Sequence, residues 1–247
     1  MITKFGILSD IHGNIAALEA VLADAGRRGV DQFVNLGDIC SGPLFPVETA
    51  DRLIALSLPT IRGNHERQVL TQAAERMGPS DRHAATKLRK DQLQWLAMLP
   101  PRLRLSAEIL MVHGTPESDL SYFLETVTRD GVRRATMAEV HERASVEEAA
   151  IILCGHTHIA RAVALEDGRR IINPGSVGLP AYYDDFPFPH VIETGSPHAR
   201  YAILTKEGSS WQPELIEVEY DWEEAAKTAQ ANDRPDWAHA LRTGRMC

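Results

Sequence analysis

The chain opens on an apolar run, FGIL, that stops at SDIHGN. Apolar character over residues 4–9 predicts a buried strand. The period then changes. Ile15, Leu18, Val21 and Leu22 recur at helical spacing and Gly29 follows, which predicts a helix over 14–29. A strand is expected over 31–36, a helix over 46–56 opened by Pro46, and a short third strand over 59–62. Helical patterning resumes over 66–77 and 81–99 and ends at Pro100-Pro101. Strands are expected over 102–106 and 108–113, with helices over 118–127 and 136–143. The last third returns to strands, over 150–154, 159–165, 169–173, 200–206 and 215–220, before short helices over 222–231 and 235–242. The opening βαβαβ rhythm predicts an α/β fold with a parallel or mixed sheet covered by helices.

No Pro/Gly/Ser-rich linker, repeat or low-complexity run divides the chain, so it reads as one domain over 1–247. Two segments break the rhythm. One is a helical elaboration around 66–100. The other, around 180–198, is rich in proline and aromatics and reads as a loop. A composition of 44% hydrophobic and 24% charged residues is that of an ordinary globular protein and changes little. The net charge of −8 changes more, because it argues against an extended nucleic-acid surface. It leaves room for a small phosphorylated substrate, since bound metal ions invert the local field. Cys40, Cys154 and Cys247 are odd in number and have no CxxC spacing, so a reducing, cytoplasmic setting is expected. The opening MITKFGILSD does not read as a signal peptide, and no run of about 18 apolar residues predicts a membrane span. An oligomer is left open.

Five apolar runs finish in polar residues of one kind. GILSDIHG places Asp10 and His12 at a strand end, FVNLGD places Asp38, TIRGNHE places Asn64 and His65, ILMVHG places His113, and IILCGHTH places His156 and His158. In open α/β sheets, ligands sit beyond the carboxyl ends of the strands, so these five ends can converge on one crevice. Asp, Asn and His offer oxygen and nitrogen donors suited to Mn, Fe, Zn and similar divalent ions. The two-residue spacing in Asp10/His12 and His156/His158 is expected to put each pair on one side of an extended chain. Taken singly, each residue reads as a turn acid, a helix cap or a surface histidine. Five of the ten histidines fall within these segments, which makes accidental alignment a poor account of the set.

The ordered set SDIHGN, GD, GNHE, VHG and GHTH, with NPGSVG at 173–178, resembles the calcineurin-like metallophosphoesterase superfamily, over roughly the first 180 residues. The bacterial phosphodiesterase or diadenosine-tetraphosphatase-like branch is the nearest. The resemblance implies two facing mixed β-sheets flanked by helices, a four-layer αββα sandwich. It also implies two divalent metals, with manganese favoured and Fe, Zn or Ni as alternatives. Asp10, His12 and His158 would hold the first ion, Asn64, His113 and His156 the second, and Asp38 would bridge them. A metal-bridging hydroxide would attack phosphorus in line, with His65 as the catalytic histidine at the leaving group. The substrate would be a small phosphomonoester or phosphodiester. A dinucleoside polyphosphate hydrolase, a serine/threonine protein phosphatase and an inactive scaffold on the same fold remain alternatives. One departure weakens the protein-phosphatase reading. The acid-arginine-glycine stretch that follows GD in that branch is GDICSGP here, so no partner orienting His65 is visible.

Weaker signals are Cys40 and Cys154 close to the motifs, Arg62 before GNHE, and a basic segment over 82–90. Tyr182, Tyr183, Phe186 and Phe188 in the 180–198 stretch could wall a pocket by stacking, form a dimer contact or pack on the surface. His190 and His198 receive no role.

Overall fold

The computed structural model describes residues 3–208 and 210–247. The first elements are β1 (Thr3–Leu8), α1 (Ile15–Arg27), β2 (Phe33–Asn35), α2 (Pro46–Leu56) and α3 (Asn64–Thr71). After a 3-10 turn at Ala74–Arg76 come α4 (Pro79–Lys87), α5 (Lys90–Met98), β3 (Arg102–Arg104) and β4 (Ile109–Val112). Next are β5 (Glu125–Thr128), β6 (Gly131–Arg134), α6 (Met137–Ala144), β7 (Ile151–Leu153), β8 (Arg161–Ala164) and β9 (Arg170–Asn173). The chain closes with β10 (Ala181–Asp184), β11 (His190–Glu193), β12 (Ala199–Glu207), β13 (Ser210–Val218), α7 (Trp222–Ala231) and α8 (Pro235–Thr243).

Two mixed sheets carry the fold, with strand orders β13-β12-β1-β2 and β3-β4-β7-β9-β8. Period-two alternation explains how they pack. Phe5, Ile7, Ala202 and Leu204 from one sheet meet Ile109, Met111, Ile151, Leu153 and Ile172 from the other in one buried cluster. The intervening residues face outward. Leu8, Tyr201 and Ile203 pack with Leu18 and Val21 of α1 and Leu53 of α2. Leu110, Val112, Ile152 and Ile171 pack with Val140 and Ala144 of α6. This is the expected four-layer sandwich. A smaller cluster joins Leu44 and Leu179 to α7 and α8 through Ala225, Ala226, Trp237 and Leu241. Among the described residues, no helix is long and apolar enough to cross a membrane.

Three segments differ from the pattern reading. Residues 118–127 do not form a helix. Leu120, Phe123, Leu124 and Val127 recur at helical spacing, but β5 pairs with β6 across a turn at Arg129-Asp130, and Gly131, which opens β6 opposite Thr128, takes φ 113°. An Asp-Gly step is a strong hairpin signal, and here it outweighs the helical period. The stretch around 180–198 carries the hairpin β10–β11. The strand expected over 59–62 reduces to a single bridge, Asn35 to Thr60. Pro59, lacking an N–H, cannot donate to a longer ladder.

Candidate metal centre

The loops that leave β1, β2, β4 and β7 meet at one end of the sandwich, tied to each other by backbone hydrogen bonds. Asp10 N–H donates to Gly37 C=O at 3.0 Å, His12 N–H to Asp38 C=O at 3.0 Å, and Gly155 N–H to His113 C=O at 2.7 Å. The NPGSVG segment clamps the first loop. Ser176 Oγ–H and Gly178 N–H both donate to Asp10 C=O, at 2.7 and 3.0 Å. The two-residue pairs do not lie on an extended chain as their spacing suggested. Asp10, His12, Asp38, His156 and His158 have φ of 55°, 52°, 54°, 69° and 59°, and only Ser57 and Asp233 join them as positive-φ residues other than glycine among the described residues. Left-handed backbone costs a side-chain-bearing residue roughly 1–3 kcal/mol, and such strain concentrates at functional sites. Kinks, rather than a pleat, bring each pair to one side.

Two clusters of donor atoms result. Asp10, His12 and His158 form one and Asp38, His113 and His156 the other, with the ligand atoms of each lying within 4.8 Å of one another. Asn64 joins the second, its Oδ1 3.0 Å from His113 Nε2. All seven residues are buried. Asp38 Oδ2 stands 3.0 Å from His113 Nε2, and its Oδ1 accepts the His65 N–H at 3.0 Å.

The protonation pattern shows that these donors fit cations. His12 Nδ1 lies 2.7 Å from Ser41 C=O and His158 Nδ1 lies 2.7 Å from Leu179 C=O. A carbonyl only accepts, so Nδ1 carries a hydrogen in both rings, and Nε2 is the atom each turns toward the cluster. Those two Nε2 atoms face one another at 3.1 Å. His113 repeats the arrangement, with Nδ1 on Leu36 C=O at 2.8 Å and Nε2 facing two oxygens. His156 inverts it. Its Nε2 donates to Leu120 C=O at 3.2 Å, which leaves Nδ1 bare. Asp10 Oδ1 is buried without a hydrogen-bond donor, although His158 Nε2 stands 3.4 Å away. Ring nitrogens and carboxylate oxygens crowded together in a buried site call for positive charge. Backbone carbonyls fixing the far nitrogen are the usual outer support of metal-bound histidine.

In the protein alone, protons must take up that charge. Burial opposes charge on His113, but Asp38 and Asp10 outweigh it and push its pKa up to about 10. His65 is likewise raised to about 9, by Asp38 and Asp81 against burial. Burial, then the neighbouring His158, pushes His12 down to about 4, and burial, then His113, does the same to His156.

Two residues that shape the site carried no reading in the sequence. Glu66 is buried at the third position of α3, and its carboxylate accepts the N–H groups of Asp38, Ile39 and Gly63 at 2.8, 2.7 and 2.9 Å. It stood in GNHE, and an acid three residues beyond a helix cap is a recognisable signal. Asp81 of α4 accepts from His65 Nδ1 at 2.7 Å and from Ser41 Oγ–H at 2.7 Å. It looked like an ordinary first-turn helix acid. Gly63 is demanded by close approach. A Cβ there would lie 2.8 Å from Asp38 Cγ and 2.9 Å from Asp38 N. Gly63→Ala is therefore expected to displace Asp38 and lower bound metal in elemental analysis, whereas Gly78→Ala, with open space around it, is expected to retain it.

A cavity of about 570 Å³ opens over the two clusters. His65 lines it, as do Tyr182, Tyr183 and Phe186 from the β10–β11 region, Trp237 from α8 and Arg234 at the N-cap of that helix. Tyr182 also supports the site, donating from its hydroxyl to His156 C=O at 3.1 Å and meeting the His158 ring edge-on at 4.6 Å. Buried His190 lies 2.8 Å from the Tyr122 hydroxyl through Nε2, and Tyr122 in turn packs on His156. Phe188 instead lies under Arg129. Cys40 and Cys154 are buried thiols whose pKa burial pushes well up, and neither lines the cavity. In the basic segment, Arg89 pairs with Asp51 and Asp91 away from the cavity.

Residues 3–193 match the family model described as the calcineurin-like phosphoesterase superfamily domain. The chain is 27% identical to the uncharacterized protein MJ0912 of Methanocaldococcus jannaschii, over 95% of each sequence. Its structure is similar to that of a metallophosphoesterase from Sphaerobacter thermophilus, with a TM-score of 0.78 and 25% identity over 99% of this chain and 100% of that one. It also shares its fold with the hypothetical protein PH1004 of Pyrococcus horikoshii OT3, with a TM-score of 0.73 and 18% identity over 99% of both. The α7–α8 segment, which supplies Trp237 to the cavity, lies beyond the family match.

Proposed function

This chain belongs to the calcineurin-like phosphoesterase superfamily and is a metal-dependent phosphoesterase; from that premise we propose that it hydrolyses small phosphomonoesters or phosphodiesters at a two-metal centre. One observation carries the proposal: two adjacent donor clusters, with the Nε2 atoms of His12 and His158 facing each other at 3.1 Å, lie on the floor of a cavity also lined by His65. Asp10, His12 and His158 would hold one ion, Asn64, His113 and His156 the other, and Asp38 would serve both. Manganese, iron, zinc and nickel all suit these donors. The ions supply charge neutralisation at the phosphoryl oxygens and a water of lowered pKa, which is most of what phosphoryl transfer demands.

The chain's own residues do the rest. The carbonyls of Ser41, Leu179 and Leu36 hold three ligand rings in one tautomer. His65, whose Nδ1–H donates to Asp81, keeps Nε2 for the leaving-group oxygen and would deliver a proton there. The walls favour substrates of low charge. Arg234 is the only Lys or Arg among the lining residues, and Asp236 binds its guanidinium at 2.6 Å. Asp184 and Asp185 line the same cavity. The ions would neutralise the phosphate held over the donor clusters, but further phosphates reaching the walls would meet Asp184, Asp185 and an already paired Arg234, so a dinucleoside polyphosphate is proposed as the poorer substrate.

The reading is tested on chelator-stripped protein with Mn, Ni, Zn or Mg added back, assayed on bis-p-nitrophenyl phosphate, p-nitrophenyl phosphate and diadenosine tetraphosphate. Metal-dependent turnover is expected on one or both nitrophenyl esters and little on the tetraphosphate. Silence with every metal on both esters would refute the proposal. His65→Ala is expected to keep full metal while lowering kcat by about 10²–10⁴-fold on esters with poor leaving groups.

A further inference from the structure

We propose that Asp81, held by Ser41, is the positioning residue of His65, so that α4, part of the helical elaboration, belongs to the reaction machinery. The inference rests on the reading of His65 as the group at the leaving oxygen.

His65 sits on the first turn of α3, and its side chain is 30% exposed toward the cavity. The His12 ring meets the His65 imidazole edge-on at 5.4 Å, and the orientation of a working imidazole depends further on the bond made by its far nitrogen. That bond goes to Asp81 Oδ1 at 2.7 Å. The Asp81 side chain is itself only 5% exposed, and among the described residues no lysine or arginine pairs with it. Its hydrogen-bond partners are the His65 ring and the Ser41 hydroxyl, both on Oδ1. A buried carboxylate with so few partners is costly unless those partners are well placed. An exposed first-turn acid would have served α4 as well. The inward turn of Asp81 is explained by His65.

Ser41 works on both sides. Its carbonyl fixes His12 Nδ1 at 2.7 Å and its hydroxyl fixes Asp81 at 2.7 Å. One residue of the loop after β2 therefore sets His12, a candidate ligand, and His65 in a common frame. Trp237 reinforces that frame by packing edge-on against His12 at 5.9 Å.

The test is a double-mutant cycle in the metal-loaded protein, with kcat and KM measured on phenyl phosphate and p-nitrophenyl phosphate and metal content measured alongside. Asp81→Ala is expected to lower kcat about 10–100-fold, the usual cost of losing such support, with KM and bound metal unchanged. The loss should be larger for phenyl phosphate, the poorer leaving group. Asp81→Asn should recover part of it, because an amide oxygen still accepts from Nδ1–H although the negative charge beside the ring is gone. In a His65→Ala background, Asp81→Ala should cost nothing further. Ser41→Ala, which keeps the carbonyl on His12, should give a smaller loss of the same kind, and it decides the matter if Asp81→Ala fails to fold. The proposal is overturned if the alanine variants cost as much without His65 as with it, if they shed metal, or if asparagine rescues nothing. If His65→Ala itself leaves kcat unchanged, the reading of His65 falls and this proposal falls with it. An effect at His65 without coupling to Asp81 or Ser41 removes this proposal alone.

Discussion

Asp38→Asn is expected to strip the site of metal and to cost at least about a thousandfold in kcat/KM, while the fold stays intact. Asp38 is 1% exposed. Burial works against its charge, but the imidazoles of His113, His65 and His12 outweigh that and hold the carboxyl well below the usual carboxylate range. Asparagine preserves the shape and most of the bonding. An amide oxygen still accepts the His65 N–H now 3.0 Å from Oδ1, and an amide nitrogen can donate to His113 Nε2, now 3.0 Å from Oδ2. Glu66 still anchors the backbone N–H at 2.8 Å. What disappears is the negative charge that faces the second donor cluster directly. Several kcal/mol of charge stabilisation go with it, and each 1.36 kcal/mol is about tenfold in rate. Elemental analysis and kinetics on the purified variant check both halves. Full metal occupancy in Asp38→Asn would show that the shared-ligand assignment is wrong.

The parts of the site that were legible in the sequence are those where chemistry is local. An apolar run that ends in a polar residue beside a glycine is visible within eight residues, and it marks Asp10, His12, Asp38, Asn64, His113, His156 and His158 as candidates, which the structure brings to one end of the sandwich. How those residues converge was less legible. Two-residue spacing suggested an extended chain, yet Asp10 and His12 both take left-handed φ because their loop is bent by bonds to Gly37 and Asp38. Such bonds join segments far apart in sequence. Asp81 was hidden for another reason: at the third position of a helix, a carboxylate that stabilises the dipole and one that orients a distant imidazole look identical. Glu66 was in plain view within GNHE but reads as an ordinary capping acid until its bonds to Asp38 and Ile39 are seen. The sandwich itself came from the family resemblance, because the alternation along the chain predicts only a parallel or mixed sheet covered by helices. The hairpin of β5 and β6 was not legible, because helical spacing at Leu120, Phe123, Leu124 and Val127 competed with the turn signal at Arg129-Asp130-Gly131. The helix at 222–231 matched its boundaries, but nothing in its sequence or that of α8 says that Trp237 will reach the cavity.

Chelation is expected to lower the melting temperature by about 5–15 °C, and metal add-back is expected to restore it. A ligand present at 100–1,000 times its Kd stabilises the folded state by about 2.7–4.1 kcal/mol, and a chain of this size shifts by about 2–4 °C per kcal/mol. The strain to be relieved is specific. His12 Nε2 and His158 Nε2 face each other at 3.1 Å, and buried Asp10 Oδ1 has no hydrogen-bond donor among the described residues, so a cation held among them offsets their mutual repulsion. The pH dependence follows from the shifts. His113, raised to about 10, binds a proton in the stripped protein at neutral pH and must release it to become a ligand. Loading metal at pH 8 should therefore release protons, read with an indicator dye in weak buffer. His12 and His156, lowered to about 4, are neutral in the fold but protonate near 6.5 once unfolded. Acid thus destabilises the stripped protein as pH falls from about 6.5 toward 4. The metal-loaded protein suffers the same pull and also loses ions to protons at the ligands. The gap between the two melting curves should therefore close toward pH 5 and widen toward pH 9. A stripped protein that melts with the loaded one at pH 8, with no protons released on add-back, would mean that these clusters do not hold the ions.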